Sequence, residues 1–320
     1  MRRTAPKAVP KTVPNTAPLA TAVAVMLTIA MALSSATAQA LPTSYALPGE
    51  AVFPEGIALG PDADVFYVGA TNGGTIFRGD IATGEVEIFA SGEQPAAIGM
   101  EVDAYGRLWV AGGPTGNVYV YDTASGELLR SYATPDADAT FLNDLTFVDD
   151  AVYVTDSMRP QLFRIEAGEA LGELGAFVSF EGTPFAYQEG FNANGIVTSP
   201  DERSVLIVQS NTGLLFRVEL ASGEVSQATA PALSAGDGMF RDGDVLYVVR
   251  NQIGQVERLR LSPSGDTALV DPDGPITSPA FEFPTTAVVR GDSLYAVNSQ
   301  FDQQGGQPDL PFEVVRVPLF

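Results

Sequence analysis

From residue 41 onward, short apolar runs alternate with polar turns, and one order of elements recurs six times. Each unit reads as an apolar strand, a turn rich in Asp and Gly, a second strand with an aromatic, a small loop, a third strand often ending in Arg, and a fourth strand. The first three turns and second strands are Pro61-Asp62 before Val65-Phe66-Tyr67-Val68, Tyr105-Gly106 before Leu108-Trp109-Val110, and Asp149-Asp150 before Val152-Tyr153-Val154. The next are Pro200-Asp201 before Val205-Leu206-Ile207-Val208, Asp242-Gly243 before Leu246-Tyr247-Val248, and Gly291-Asp292 before Leu294-Tyr295-Ala296-Val297. Third strands follow, as in Ile76-Phe77-Arg78, Leu162-Phe163-Arg164 and Leu215-Phe216-Arg217. Four strands per unit, a period from the low forties to about fifty residues and no helical periodicity predict an all-β fold, a six-bladed β-propeller. The sixth unit runs out at Phe320 after its third strand, while Thr43-Ser44-Tyr45-Ala46-Leu47-Pro48 resembles the second unit's fourth strand, Arg130-Ser131-Tyr132-Ala133-Thr134-Pro135. The N-terminal strand is therefore expected to complete the last blade, so that neither end is an open edge, and residues 41–320 to form one domain.

Ahead of the repeats, Arg2, Arg3, Lys7 and Lys11 precede an apolar run from Leu19 to Leu33 that ends at Ala38-Gln39-Ala40. That is the pattern of a cleavable export signal over residues 1–40, which places the mature protein in the periplasm or outside the cell; the competing reading of the same run is a retained membrane anchor. The Sec and twin-arginine routes both stay open. No later run is long and apolar enough to span a membrane.

Composition narrows the chemistry. The chain has no Cys and no His, which excludes disulfides, thiolate nucleophiles, Ser-His-Asp catalysis and His-rich zinc sites. Any bound metal must be held by oxygen. Without residues 1–40 the chain keeps 39 acidic and 13 basic residues, a net charge of −26, with no Lys after Lys11. Phosphate backbones demand the opposite balance, so nucleic acid is excluded as a partner. A monomer acting on a small molecule is expected.

Aligning the units on their first strands puts Glu55, Ile98, Asn143, Asn194, Asp237 and Thr285 in one register, facing the central channel. Equivalent positions of all blades meet around one axis, so two carboxylates and two amide oxygens converge there. An all-oxygen set suits a hard cation, and Ca²⁺ more than the strict octahedron of Mg²⁺. The competing reading is local: Asn-Gly, Asp-Gly and Asn-Asp are ordinary turn dipeptides that supply positive φ. It does not account for Glu55.

Phe53-Pro54-Glu55-Gly56-Ile57, Asn143-Asp144 followed by Val152-Tyr153-Val154-Thr155-Asp156-Ser157, Asn194-Gly195-Ile196 with Ser199-Pro200-Asp201, and Asp237-Gly238 together resemble the SMP-30/gluconolactonase/LRE-like family. The family is similar in fold and metal site to calcium-dependent phosphotriesterases. The resemblance implies a divalent cation, usually calcium, held by Glu55, Asn194 and Asp237, with Asn143 a further ligand or a substrate contact. Two departures bear on substrate. Sugar-lactonase members carry an arginine two residues before the blade-three asparagine, where this chain has Phe141, and phosphotriesterase-like members add a channel histidine that is absent here.

Ser157, Met158, Arg159, Asn211, Asn251 and Gln252 fall in loops expected to open on the face of the cation site, and Phe141, Asn143, Met158, Arg159 and Asn211 are the candidate substrate contacts. The connection from Gly182 to Phe191, with Phe185 and Tyr187, reads either as a lid or as a packed loop. Two functions fit. One is an exported calcium-dependent hydrolase of lactones or related esters, with Asp237 as catalytic base or nucleophile and a phosphotriester as the alternative substrate. The other is a non-catalytic propeller with structural calcium.

Overall fold

Strand side chains alternate between the two faces of a sheet, and here both faces are apolar, so each sheet needs cover on both sides. Second strands such as Ala151–Asp156 and Ser204–Gln209 are accordingly buried at every position. Outer strands such as Val86–Ala90 and Leu174–Ser179 are partly exposed. The computed structural model describes residues 40–135 and 139–319, so the export-signal reading falls outside the described residues except for Ala40.

Six antiparallel sheets are present among these residues. Five are built in chain order from inner to outer strand, the fifth with a short extra strand, Ile276–Thr277, on Gln255–Leu261. The sixth takes Pro284–Arg290, Ser293–Asn298 and Phe312–Pro318 from one end of the chain and Ser44–Leu47 from the other, with Ser44 opposite Val315 and Leu47 opposite Phe312. The inner strands are Pro54–Leu59, Met100–Val102, Leu142–Val148, Ala193–Thr198, Gly236–Asp242 and Pro284–Arg290. They touch in cyclic order, the sixth against the first. This is the six-bladed propeller that the repeats predict.

The core is divided among the gaps between blades. Trp109, Val120, Leu145 and Phe163 fill the gap between the second and third blades, and Phe180, Phe185, Ile207 and Phe216 the next. Between the sixth and first blades, Tyr45 and Leu47 of the N-terminal strand pack with Tyr295 and Phe312 against Phe66 and Phe77. Tyr45 is fully buried, meets Phe66 edge to face at 5.1 Å and donates its hydroxyl to Ile81 O at 2.9 Å.

Candidate functional site

In five inner strands the pairing slips at one place: between Pro54 and Ile57, Leu142 and Leu145, Ala193 and Ile196, Gly236 and Met239, and Pro284 and Ala287. Two residues there oppose one, forming a β-bulge, which bends the strand and re-aims a side chain. The first bulge residue is Glu55, Asn143, Asn194, Asp237 or Thr285, the register picked out from sequence. In the second blade Ile98 takes the same place, just before Met100–Val102, and donates its N–H to Ala111 O at 2.9 Å.

Four of these residues are followed by glycine, and the reason is not the turn conformation. Gly56, Gly99, Gly195 and Gly238 all lack positive φ. A Cβ on Gly56 would stand 2.2 Å from Ile98 O, on Gly195 2.3 Å from Asp237 O, and on Gly99 2.5 Å from Asn143 O. Glycine is needed because the next blade's carbonyl packs against it. Positive φ appears elsewhere, two residues before the bulge, at Phe53 (43°), Ala235 (57°) and Phe283 (53°). The strained carbonyls of Phe53 and Phe283 accept from Thr71 Oγ1 and Ser299 Oγ, each at 2.8 Å.

Glu55, Ile98, Asn143, Asn194 and Asp237 line a cavity of about 350 Å³ at the end of the channel where the inner strands begin. Thr285 does not; its hydroxyl donates to Glu55 O at 2.8 Å. Asn143 Nδ2 donates to Ser157 Oγ at 2.9 Å, and that hydroxyl donates to Ala193 O at 2.6 Å. Asn194 Nδ2 donates to Ser210 Oγ at 2.9 Å and to Asp237 Oδ1 at 2.7 Å, while Ser210 donates to Gly236 O at 2.5 Å. A serine whose proton is committed to a carbonyl can only accept from the amide, so each serine fixes its asparagine with the NH₂ outward and Oδ1 inward. Asn143 Oδ1, Asn194 Oδ1 and Glu55 Oε2 are left buried without a hydrogen-bond partner. Such oxygens each cost about 1–3 kcal/mol, and three around one cavity mark a place for a cation or a hydrogen-bond donor.

The charges agree with this. Burial, reinforced by Asp237 and Asp144, pushes Glu55 well above the ordinary carboxylate range. Burial also pushes Asp237 up to about 6, against the amide donors Asn194 and Asn251 that hold it down. Both would ionise more readily beside a cation. No group of three or more His, Cys, Asp or Glu suited to a metal occurs among the described residues, because half of this set is amide.

Of the other sequence candidates, Phe141, Phe191, Asn211, Asn251 and Gln252 line the cavity. Asn251 Nδ2 donates to Asp237 Oδ2 at 3.0 Å. Ser157 acts from behind by orienting Asn143. Met158 and Arg159, read as substrate contacts, do not line the cavity. The Asp156 carboxylate gathers the N–H groups of both and Arg159 Nε at 2.8 Å, and turns the guanidinium to Thr134 and Thr140. The connection from Gly182 to Phe191 is mainly packed: Phe185 is fully buried and stacked on Phe216 at 4.2 Å, and Tyr187 donates to Asp156 O at 2.5 Å. Only Phe191 of its aromatics reaches the mouth. Sequence reasoning missed Thr71, Ser210, Phe283 and Phe301. Thr71 and Ser210 each follow the second strand, as Ser157 does, and Phe283 stands two residues before Thr285, as Phe141 does before Asn143; Phe301 carries no comparable signal.

The far end of the channel opens into a larger cavity, about 710 Å³, with Glu101, Asp144 and Arg241 in its wall. Burial raises Glu101 to about 8 and Asp144 to about 7. Asp144 is already satisfied by the N–H groups of Leu145 at 2.9 Å and Ile196 at 3.2 Å, whereas the mouth holds oxygens with no donor. The mouth is therefore the candidate site.

Fold and site together define a six-bladed propeller with four buried oxygen donors at one channel mouth. Residues 41–155 match the family model of the SMP-30/gluconolactonase/LRE-like region, the family that the motifs resemble; the matched stretch includes Glu55, Ile98 and Asn143. Solved structures share the fold. Regucalcin, a calcium-binding protein of Agrobacterium tumefaciens, is 15% identical over 87% of this chain and 95% of its own, with a TM-score of 0.63. The Malassezia sympodialis allergen Mala s 1 is 14% identical over 87% and 96%, TM-score 0.61. Virginiamycin B lyase of Staphylococcus aureus is 14% identical over 81% and 82%, TM-score 0.59. No curated protein matches the chain at a significant level.

Proposed function

We propose that the protein is an exported, calcium-dependent hydrolase that opens a lactone or related ester. The observation that carries this reading is the set of three buried, partnerless oxygens, on Glu55, Asn143 and Asn194, around the cavity that also holds the Asp237 carboxylate. An all-oxygen donor set with unmet lone pairs fits a hard cation; Glu55, Asn143, Asn194 and Asp237 would hold it. Calcium there supplies polarisation of the substrate carbonyl and stabilisation of the developing oxyanion. The likeness to regucalcin supports the same choice of metal.

Asp237 is the group that moves a proton. Its Oδ2 is positioned by Asn251 and its Oδ1 by Asn194, so the carboxylate is held still while it takes a proton from the attacking water. The water oxygen adds to the carbonyl carbon, the ring C–O bond breaks, and the leaving oxygen gains the proton. Glu55, pushed far up by burial, serves in metal holding rather than proton transfer. The acidic, lysine-free surface fits a secreted monomer that avoids nucleic acid and membrane.

The test is a hydrolysis screen over aliphatic lactones, sugar lactones, aryl esters and organophosphates, with and without EDTA. Turnover lost on chelation and restored by Ca²⁺ is expected. Asp237→Asn should then cost at least about a hundredfold at saturating calcium. EDTA-insensitive turnover, or Asp237→Asn near wild type, contradicts the reading.

A further inference from the structure

The mouth of the cavity has aromatic walls on opposite sides. Phe141, from the third blade, meets Phe191 edge to face at 5.0 Å; Phe283 and Phe301, from the sixth blade, stand 6.1 Å apart. The third and sixth blades face each other across a six-blade ring, so a slot lies between the two pairs. Each wall is held in place. Phe141 N–H donates to the buried carboxylate of Asp156 at 3.0 Å, and Phe283 is kept in its left-handed backbone by the Ser299 hydroxyl. A bulky residue at positive φ persists only where its surroundings impose it. Phe191, 42% exposed, leaves an aromatic face in water.

The hydrogen-bond-donating side chains of the mouth are largely occupied. Thr71 donates to Phe53 O, Ser210 to Gly236 O, Asn251 to Asp237, and Asn211 to Glu189 O and Asn192 Oδ1. Gln252 is the one donor side chain of the lining that makes no hydrogen bond. No Arg or Lys lines the cavity. Arg250 is bound to Ser234 O and Glu257, and Arg159 to Asp156. Once the buried oxygens hold a cation, a polyhydroxylated ring would find few partners for its hydroxyls here, and an anionic substrate would find no Arg or Lys to pair with beside a cation whose charge Glu55 and Asp237 already balance.

We propose that the site takes an uncharged, apolar lactone or ester, its hydrocarbon substituent lying in the slot between Phe141–Phe191 and Phe283–Phe301. This rests on the hydrolase reading above and specifies its substrate class. Each methylene buried in the slot should raise kcat/KM about fourfold, the ratio that corresponds to burying one CH₂, until the slot is full.

The experiment uses the mature protein at saturating calcium with a series of δ-lactones bearing alkyl groups of increasing length, beside gluconolactone. Cyclic ketones of the same series, which cannot be hydrolysed, are tested in parallel for binding by calorimetry. Rising kcat/KM with chain length, and gluconolactone below every alkyl lactone, is the expected result. Phe191→Asn and Phe301→Asn should flatten the slope. Turnover with no slope, or with gluconolactone preferred, overturns the inference and leaves the hydrolase reading standing. No turnover with chain-length-dependent ketone binding supports the apolar slot and removes the hydrolase reading. Neither turnover nor binding overturns both.

Discussion

Gly195→Ala probes the ring of close approaches that holds the site together. The new Cβ would lie 2.3 Å from Asp237 O, 2.7 Å from Met239 N and 2.9 Å from Met239 Cγ, where ordinary contact begins at 3.4 Å. Two of the three atoms are backbone, so no rotamer change relieves the clash, and the fourth and fifth inner strands must part by about 1 Å. Overpacking of this kind costs about 1–3 kcal/mol. At about 2–4 °C per kcal/mol for a domain of this size, Tm should fall by about 2–12 °C. The displaced residue is Asp237, and a shift near 1 Å exceeds the roughly 0.5 Å tolerance of a preorganised site, so calcium affinity should fall as well. Scanning calorimetry and calcium titration measure both. Gly175→Ala is the control: its Cβ would meet nothing within 4 Å and its φ is not positive, so it should melt at or above the wild-type temperature. A Gly195→Ala protein with unchanged melting and calcium binding would refute the close-approach explanation.

Three further outcomes are expected. Ser157→Ala frees the Asn143 amide to turn, and calcium affinity should drop about 10- to 100-fold with the fold retained; titration showing no loss means that Ser157 does not orient the ligand. Glu55, Asp237, Asp144 and Glu101 all have pKa values raised on folding, so the folded state holds protons that the unfolded chain releases above about pH 4. Stability in EDTA should therefore decline as pH rises from 5 to 8, and calcium affinity should rise through about pH 6; a Tm in EDTA higher at pH 8 than at pH 5 contradicts the assignment. Deleting residues 41–48 removes the buried Tyr45 and Leu47, each contributing about 1.5–3 kcal/mol, and should lower Tm by at least about 6 °C; an unchanged melt shows that the strand contributes little.

The alternation of apolar runs and Asp-Gly turns determined the strands, and their six-fold recurrence determined the propeller. A strand too short to cover its own faces has few ways to bury them other than against a copy of itself. The same repeat exposed the register of Glu55, Asn143, Asn194 and Asp237, since a ring superimposes what the chain spaces far apart. Three things needed the tertiary structure. The glycines after these residues read locally as turn formers, yet their cause is a carbonyl one blade away. Met158 and Arg159 lie in a loop on the expected face, but Asp156 captures the arginine, an ion pair that loop position does not disclose. Phe283 and Phe301 face Phe141 and Phe191 only because the third and sixth blades oppose each other across the axis. Repetition along a chain records what each unit does; contacts between units depend on the angle at which they meet, and that angle is set by packing in the gaps between the blades.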